Sequence, residues 1–132
     1  MARKIFVNLP VKDLPVAKEF FEKLGFSINP DFSDENAGCV VISDTIHVML
    51  LTETLYRTFT PKDITDTATS GETILCLSAD SREEVDRLVE IALDSGGKPI
   101  GETQEAEAMY GRAFQDPDGH HWEVMYMDMS AG

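Results

Sequence analysis

Apolar positions along this chain follow two periods, one of two residues and one helical, and the order in which they occur repeats. Ile5 to Val11 reads as a strand; after Asp13, residues Val16, Ala17, Phe20, Phe21 and Leu24 recur at helical spacing until Gly25. Asp13 is suited to cap that helix, and Pro15 to its first turn. Three short strand candidates follow, Ser27 to Phe32, Cys39 to Ser43 and Ile46 to Thr52, separated by polar breaks. The second half opens the same way. Thr73 to Ala79 reads as a strand, and after Asp80 the run Ser81-Arg82-Glu83-Glu84 forms a capping box. A helix follows with Val85, Leu88, Val89 and Ala92 apolar, ended by Gly96-Gly97. Lys98 to Thr103, Tyr110 to Gln115 and His121 to Tyr126 complete it. Each half is therefore a βαβββ module, at about 1–57 and 70–128 with a linker at about 58–69. The stretch from Glu53 to Glu72, rich in Thr and holding Pro61 and Gly71, lacks apolar periodicity and reads as the crossing between modules.

The last two strands are joined by Asp116-Pro117-Asp118-Gly119, where Pro117 presets φ, Gly119 supplies a positive-φ position, and the Asp side chains can bond nearby backbone. In the strand that follows, His121, Glu123 and Met125 share one face, and Trp122, Val124 and Tyr126 the other. A carboxylate at that place is either part of a solvated strand face or aimed into a cavity. On the preceding strand Tyr110, Arg112 and Phe114 share a face. Arg112 offers a rigid donor fork and Tyr110 a phenol with a stacking face, for a ligand or for an internal salt bridge.

At 132 residues the chain has the length of one ordinary domain, long enough to bury a core without staples. Its formal net charge is −13, and its 11 basic residues are scattered, which disfavours nucleic acid and anionic membranes and favours a cationic ligand over an anionic one. No apolar run approaches the roughly 18–20 residues of a membrane span, and Met1-Ala2-Arg3-Lys4 leads into a strand-like run without a signal-peptide core, so a cytoplasmic protein is expected. Cys39 and Cys76 lie in apolar strand-like runs and are expected to be buried structural thiols. There is no Gly-x-Gly-x-x-Gly, Walker loop or Gly-x-Ser-x-Gly elbow to support a nucleotide cofactor or serine hydrolysis.

Two βαβββ modules with an Asp before each helix, Leu24-Gly25-Phe26 closing the first helix, and Asp116-Pro117-Asp118-Gly119 before a Trp-Glu strand resemble the vicinal oxygen chelate superfamily. That superfamily holds glyoxalase I, the bleomycin resistance proteins and the extradiol dioxygenases. Phe6 to Leu14, Met109 to Arg112 and Trp122 to Asp128 are most similar to its lactoylglutathione-lyase-like bacterial branch. The resemblance implies an α+β fold of two curved mixed sheets, one per half. In metal-dependent members it also implies a divalent ion held by His, Glu, His and Glu from four strands, leaving positions for two substrate oxygens. The matching positions here are Phe6, Met49 (or Glu53 after a register shift), Thr73 and Glu123. Only Glu123 keeps the pattern, so the resemblance implies that the ancestral metal site is lost and that no cofactor is required.

His121 shares a face with Glu123, His47 lies two residues before Met49, and Asn8 two beyond Phe6. If the faces converge, a cavity displays Asn8, His47, His121 and Glu123, with Tyr110 and Arg112 as further ligand-binding candidates. His47, His121 and Glu123 also have the composition of a displaced divalent-metal site. The expected function is metal-independent binding of a small molecule, cationic or aromatic, of the resistance or sequestration type. The alternative is a lyase, isomerase or dioxygenase-type enzyme with Glu123 as catalytic base or with the displaced metal. A homodimer is expected, with Met125, Met127 and Met129 offering apolar contact surface.

Overall fold

The computed structural model describes residues 2–128, so Met129 lies outside the described residues. The chain divides between Thr65 and Asp66 into two compact units, each built on one mixed sheet.

In the first unit, β1 (Ile5–Val11) leads through Asp13 into α1 (Leu14–Lys23), and β2 (Ser27–Asn29), β3 (Ala37–Val41) and β4 (Ile46–Thr52) follow. The sheet order is β1-β4-β3-β2, with β1 parallel to β4 and the other pairs antiparallel. Asp13 caps α1, its carboxylate accepting from the Val16 N–H at 3.2 Å. At the other end Gly25 takes φ +103° while the Phe26 N–H reaches back to the Phe21 carbonyl. Leu9, Val11, Val40, Val48 and Leu50 pack with Ala17, Phe20 and Phe21 of α1 to make the core of this unit.

The second unit repeats the grammar. β5 (Ile74–Ser78) leads to α3 (Arg82–Asp94), then β6 (Lys98–Pro99), β7 (Gln104–Ala106), β8 (Met109–Gln115) and β9 (His121–Met127). The order is β5-β9-β8-β6, with β7 also paired to β8 and β5 parallel to β9. Half of the predicted capping box forms: the Ser81 hydroxyl accepts from the Glu84 N–H, while the Glu84 carboxylate reaches one residue further back and accepts from the Asp80 N–H in place of that of Ser81. Val85, Leu88, Val89 and Ala92 of α3 pack over Phe114, Trp122 and Val124. Gly97 is required where the chain leaves the helix, because a Cβ there would lie 2.7 Å from both the Ala92 and Gln115 carbonyl oxygens.

Four expectations need correction. The strand from Ser27 stops at Asn29, because Pro30 opens a single 3-10 turn capped by the Asn29 side chain. The run from Lys98 to Thr103 is not one strand: pairing lapses after Pro99, Gly101 takes φ +66°, and β7 resumes the ladder at Gln104. The crossing contains a short helix, α2 (Glu53–Tyr56), whose N-cap Thr52 accepts from the Leu55 N–H at 3.3 Å. Cys39 is buried as expected, but Cys76 is exposed, since β5 is an edge strand. No described helix is long and apolar enough to cross a membrane.

Candidate functional site

The hairpin between β8 and β9 sets the position of Glu123. The Asp116 side chain is buried and spends both oxygens on the turn. One accepts from the Asp118 and His120 N–H groups and the other from the Trp122 indole N–H, all at 3.0 Å. Gly119 takes φ +81°, and its N–H closes on the Asp116 carbonyl. The Thr67 hydroxyl donates to the Asp118 carbonyl on the outside of the turn. Burial pushes the Asp116 carboxyl up, opposed by the charge of His120 and the bonds from Trp122 and the His120 backbone. Because the turn fixes the register, Glu123 lies opposite Ala113 on β8 and beside Cys76 on β5.

Alternation then sorts the side chains of this sheet. One face, covered by α3, holds Trp122 and Phe114, whose rings stack 6.4 Å apart. Tyr110 and Arg112 also lie on this face. The Tyr110 hydroxyl donates to Asp86 at 2.6 Å, and Arg112 bridges Asp86 at 3.0 Å and Glu90 at 2.9 Å. Arg82 joins the group by its bond to Glu105 at 2.7 Å and by its guanidinium lying 5.4 Å from the Tyr110 ring centre. The Tyr110 hydroxyl and then Arg112 hold the Asp86 carboxyl below its usual range against its burial. Asp86 in turn raises Tyr110, and the two carboxylates raise Arg112 although burial works the other way. Tyr110 and Arg112 were candidates for ligand binding; the structure ties both to helix α3, on the face away from Glu123.

The opposite face carries His121, Glu123, Met125 and Met127 of β9, Gly111 and Ala113 of β8, and Cys76 of β5. A small groove runs over it, lined by Glu102, Gln104, Gly111, Arg112, Ala113, Glu123 and Met125. Gly111 and Ala113 are small, and the Met125 side chain lies over Gly111, where an added Cβ would stand 3.1 Å from the Met125 Cε. Glu102 and Gln104 were not recognised from sequence, because the break at Gly101 brings them alongside β8 only after the strand has lapsed. Partial desolvation of its sulfur, and then the charge of Glu123, push the Cys76 thiol up, so it stays protonated beside the carboxylate. His121 Nε2 lies 3.9 Å from Glu123 Oε2, too long for a hydrogen bond. The Nε2 atom is buried and has no hydrogen-bond partner.

In the first unit Phe6, Asn8, His47 and Met49 share the face of the sheet opposite α1. His47 lies beside Phe6 with its ring stacked at 4.7 Å and 14°. It is buried, with Nδ1 lacking a hydrogen-bond partner, whereas Asn8 is exposed. The structure thus pairs His121 with Glu123 in the second unit, and gathers His47 and Asn8 on one sheet in the first.

The four positions matching the family's metal ligands carry a phenyl ring, a thioether, a hydroxyl and one carboxylate. That donor set does not suit a hard divalent ion. Within neither unit do three described His, Cys, Asp or Glu side chains gather as metal ligands.

The glyoxalase/bleomycin resistance protein/dioxygenase superfamily model matches residues 5–124. The chain belongs to this superfamily. A hypothetical protein from S. aureus has the same fold with TM-score 0.80 and 28% identity, over 96% of this chain and 95% of that one. A glyoxalase/bleomycin resistance protein/dioxygenase family enzyme from Burkholderia phytofirmans PsJN reaches TM-score 0.81 at 17% identity, over 96% and 99%. A lactoylglutathione lyase from Agrobacterium tumefaciens, 17% identical with TM-score 0.69 over 96% and 94%, is a more distant likeness in fold. No curated protein matches the chain.

Proposed function

We propose that this member of the superfamily is a cytoplasmic small-molecule-binding protein of the sequestration type, taking a cationic or aromatic compound without a metal. The observation that carries the reading is the Glu123 carboxylate, which lines a groove of the second unit and makes no hydrogen bond to a described residue. Glu102 and Gln104 add polar walls, and Met125 an apolar one. The Arg112 guanidinium is engaged by Asp86 and Glu90, so its charge is already met on the helix-covered face. A chain of net charge −13 draws cations toward such a site. In this proposal the protein is a homodimer, and the exposed Met127 meets the second copy.

The pairing of Glu123 with His121 favours a second reading, an enzyme in which the carboxylate takes a proton from a carbon next to a carbonyl, as in a lyase or isomerase. Calorimetry against alkylammonium, arylammonium and dicarbonyl compounds, followed by NMR of each mixture, separates the two. Saturable binding with the compound recovered unchanged supports sequestration; product accumulating from a dicarbonyl overturns it in favour of the enzyme. Protein purified without chelator should carry less than stoichiometric divalent metal by elemental analysis. A stoichiometric ion whose shell includes Glu123 would contradict metal independence.

A further inference from the structure

We infer that the edge strand β5 takes β1 of a second copy as an antiparallel neighbour, and that a two-fold dimer closes by making this contact twice. The inference rests on the homodimer reading and names the strands that meet. Its first basis is a comparison of the sheet edges. β2 is three residues long and runs into Pro30, β6 is two residues long and holds Pro99, and β7 is three residues long and holds Glu105. Short, charged or proline-marked edges of this kind resist pairing with another chain. The other two edges lack these defences. β5 runs for five residues without a charge or a proline, and β1 for seven residues with none before Pro10. Ile74 on β5 and Ile5 and Phe6 on β1 are exposed. Among the described residues neither strand has a second neighbour in its sheet.

Backbone alternation and charge then select the partner strand. The Ala79 N–H donates to the Met125 carbonyl of β9 at 2.9 Å, so Ile74, Cys76 and Ser78 aim their N–H and C=O groups away from the sheet. On β1 the Ile5 N–H donates to the Thr45 carbonyl at 2.8 Å, next to β4, so Phe6 and Asn8 aim theirs outward. Pro10 follows in the same row but has no N–H to give. Setting Cys76 against the partner's Phe6, Ile74 against the partner's Asn8 and Ser78 against the partner's Lys4 lets each pair exchange two hydrogen bonds and leaves Pro10 outside the ladder. Cys76 points away from α3 and Phe6 away from α1, so this pairing puts both helices on one side of the joined sheet. Charge agrees with the register. The end of β5 runs into Asp80, with Glu83 and Glu84 in the first turn of α3, and meets the partner's Arg3 and Lys4. Pairing β5 with its own copy about Cys76 would instead set Glu72 against Asp80, acid against acid.

The test follows the oligomeric state and one cross-link. Sedimentation of the parent protein over a concentration series should show a monomer–dimer equilibrium. Cys76→Pro removes an outward N–H while sparing the bonds to β9, and should raise the dimer dissociation constant at least about tenfold. If that variant does not fold, Cys76→Lys, which places a charge on the same edge, should weaken the dimer in its stead. Cys39 is buried, so Cys76 is the thiol open to reagents. In Phe6→Cys protein the opposed Cα atoms would stand about 5.5 Å apart, within the span of a disulfide. Mild oxidation should then give a covalent dimer in which position 6 of one chain is joined to Cys76 of the other, and the parent treated alike should give none. A parent that stays monomeric throughout the series overturns this inference together with the homodimer reading. A dimer unaffected by these Cys76 substitutions, a cross-link between two Cys76 thiols, or one closed within a single chain overturns the strand pairing and leaves the homodimer standing.

Discussion

The two faces of the second sheet carry similar polar residues and treat them in opposite ways. On the helix-covered face Tyr110, Arg112, Asp86, Glu90, Arg82 and Glu105 all find partners among one another. On the opposite face His121 and Glu123 approach to 3.9 Å, within ion-pair range but short of a hydrogen bond. Folding explains the first arrangement completely, since each buried donor meets an acceptor. It does not explain the second, because a buried polar atom without a partner costs stability. Residue type alone therefore does not mark the site. The state of pairing does, and it divides Arg112 from Glu123 although both lie near the middle of adjacent strands.

If this division is right, stability is lost by changes on the helix face and binding by changes on the opposite one. The largest loss is expected for Asp116→Ala, which strips the acceptor from the Trp122 indole and two turn N–H groups. It should cost about 3 kcal/mol in urea unfolding. Arg112→Ala comes next, at about 1–2 kcal/mol, since it leaves Asp86 and Glu90 facing each other without their shared cation. Ligand affinity should stay within about threefold of the parent for this variant, as an exposed groove lying on the other face would require. A tenfold loss of affinity with Arg112→Ala would blur the two faces into one site.

The smallest effect is on acid unfolding. Asp86 is held below its ordinary value when folded, so its contribution is present above the unfolded carboxylate range and is lost as pH falls through the folded value. Asp116 has the opposite sign: its folded value is raised, so acidification through that value favours the folded state until the unfolded carboxyl also titrates. Asp86→Asn should therefore flatten the decline in stability below about pH 5. The change should be about 0.5 kcal/mol or less, because this carboxylate is half exposed and screened. An unchanged acid limb would mean that the clamp to α3 contributes nothing measurable.

The fold was legible because period and punctuation agreed. Asp13, Gly25, the Ser81 capping box and the Asp-Pro-Asp-Gly turn each fix an element end by local chemistry, and the alternation in β9 gives Glu123 its face. What sequence did not carry was anything set by a break in regularity or by the opposite layer. The lapse at Gly101 that brings Glu102 and Gln104 to the groove depends on a φ value. Tyr110 and Arg112 were correctly placed on one face with Phe114, but which face is helix-covered follows from α3 presenting Asp86 and Glu90 in successive turns. The exposure of Cys76 likewise follows from strand order, which places β5 at an edge.

The central claim is that Glu123 serves a ligand and not the fold, and Glu123→Gln tests it most directly, because the amide keeps the shape and removes the charge. Urea unfolding and benzylammonium titration should be measured on the same preparation. The account predicts stability within about 0.5 kcal/mol of the parent together with at least a tenfold loss of affinity. A loss of more than about 1 kcal/mol in stability with affinity unchanged would contradict it and make Glu123 a structural residue.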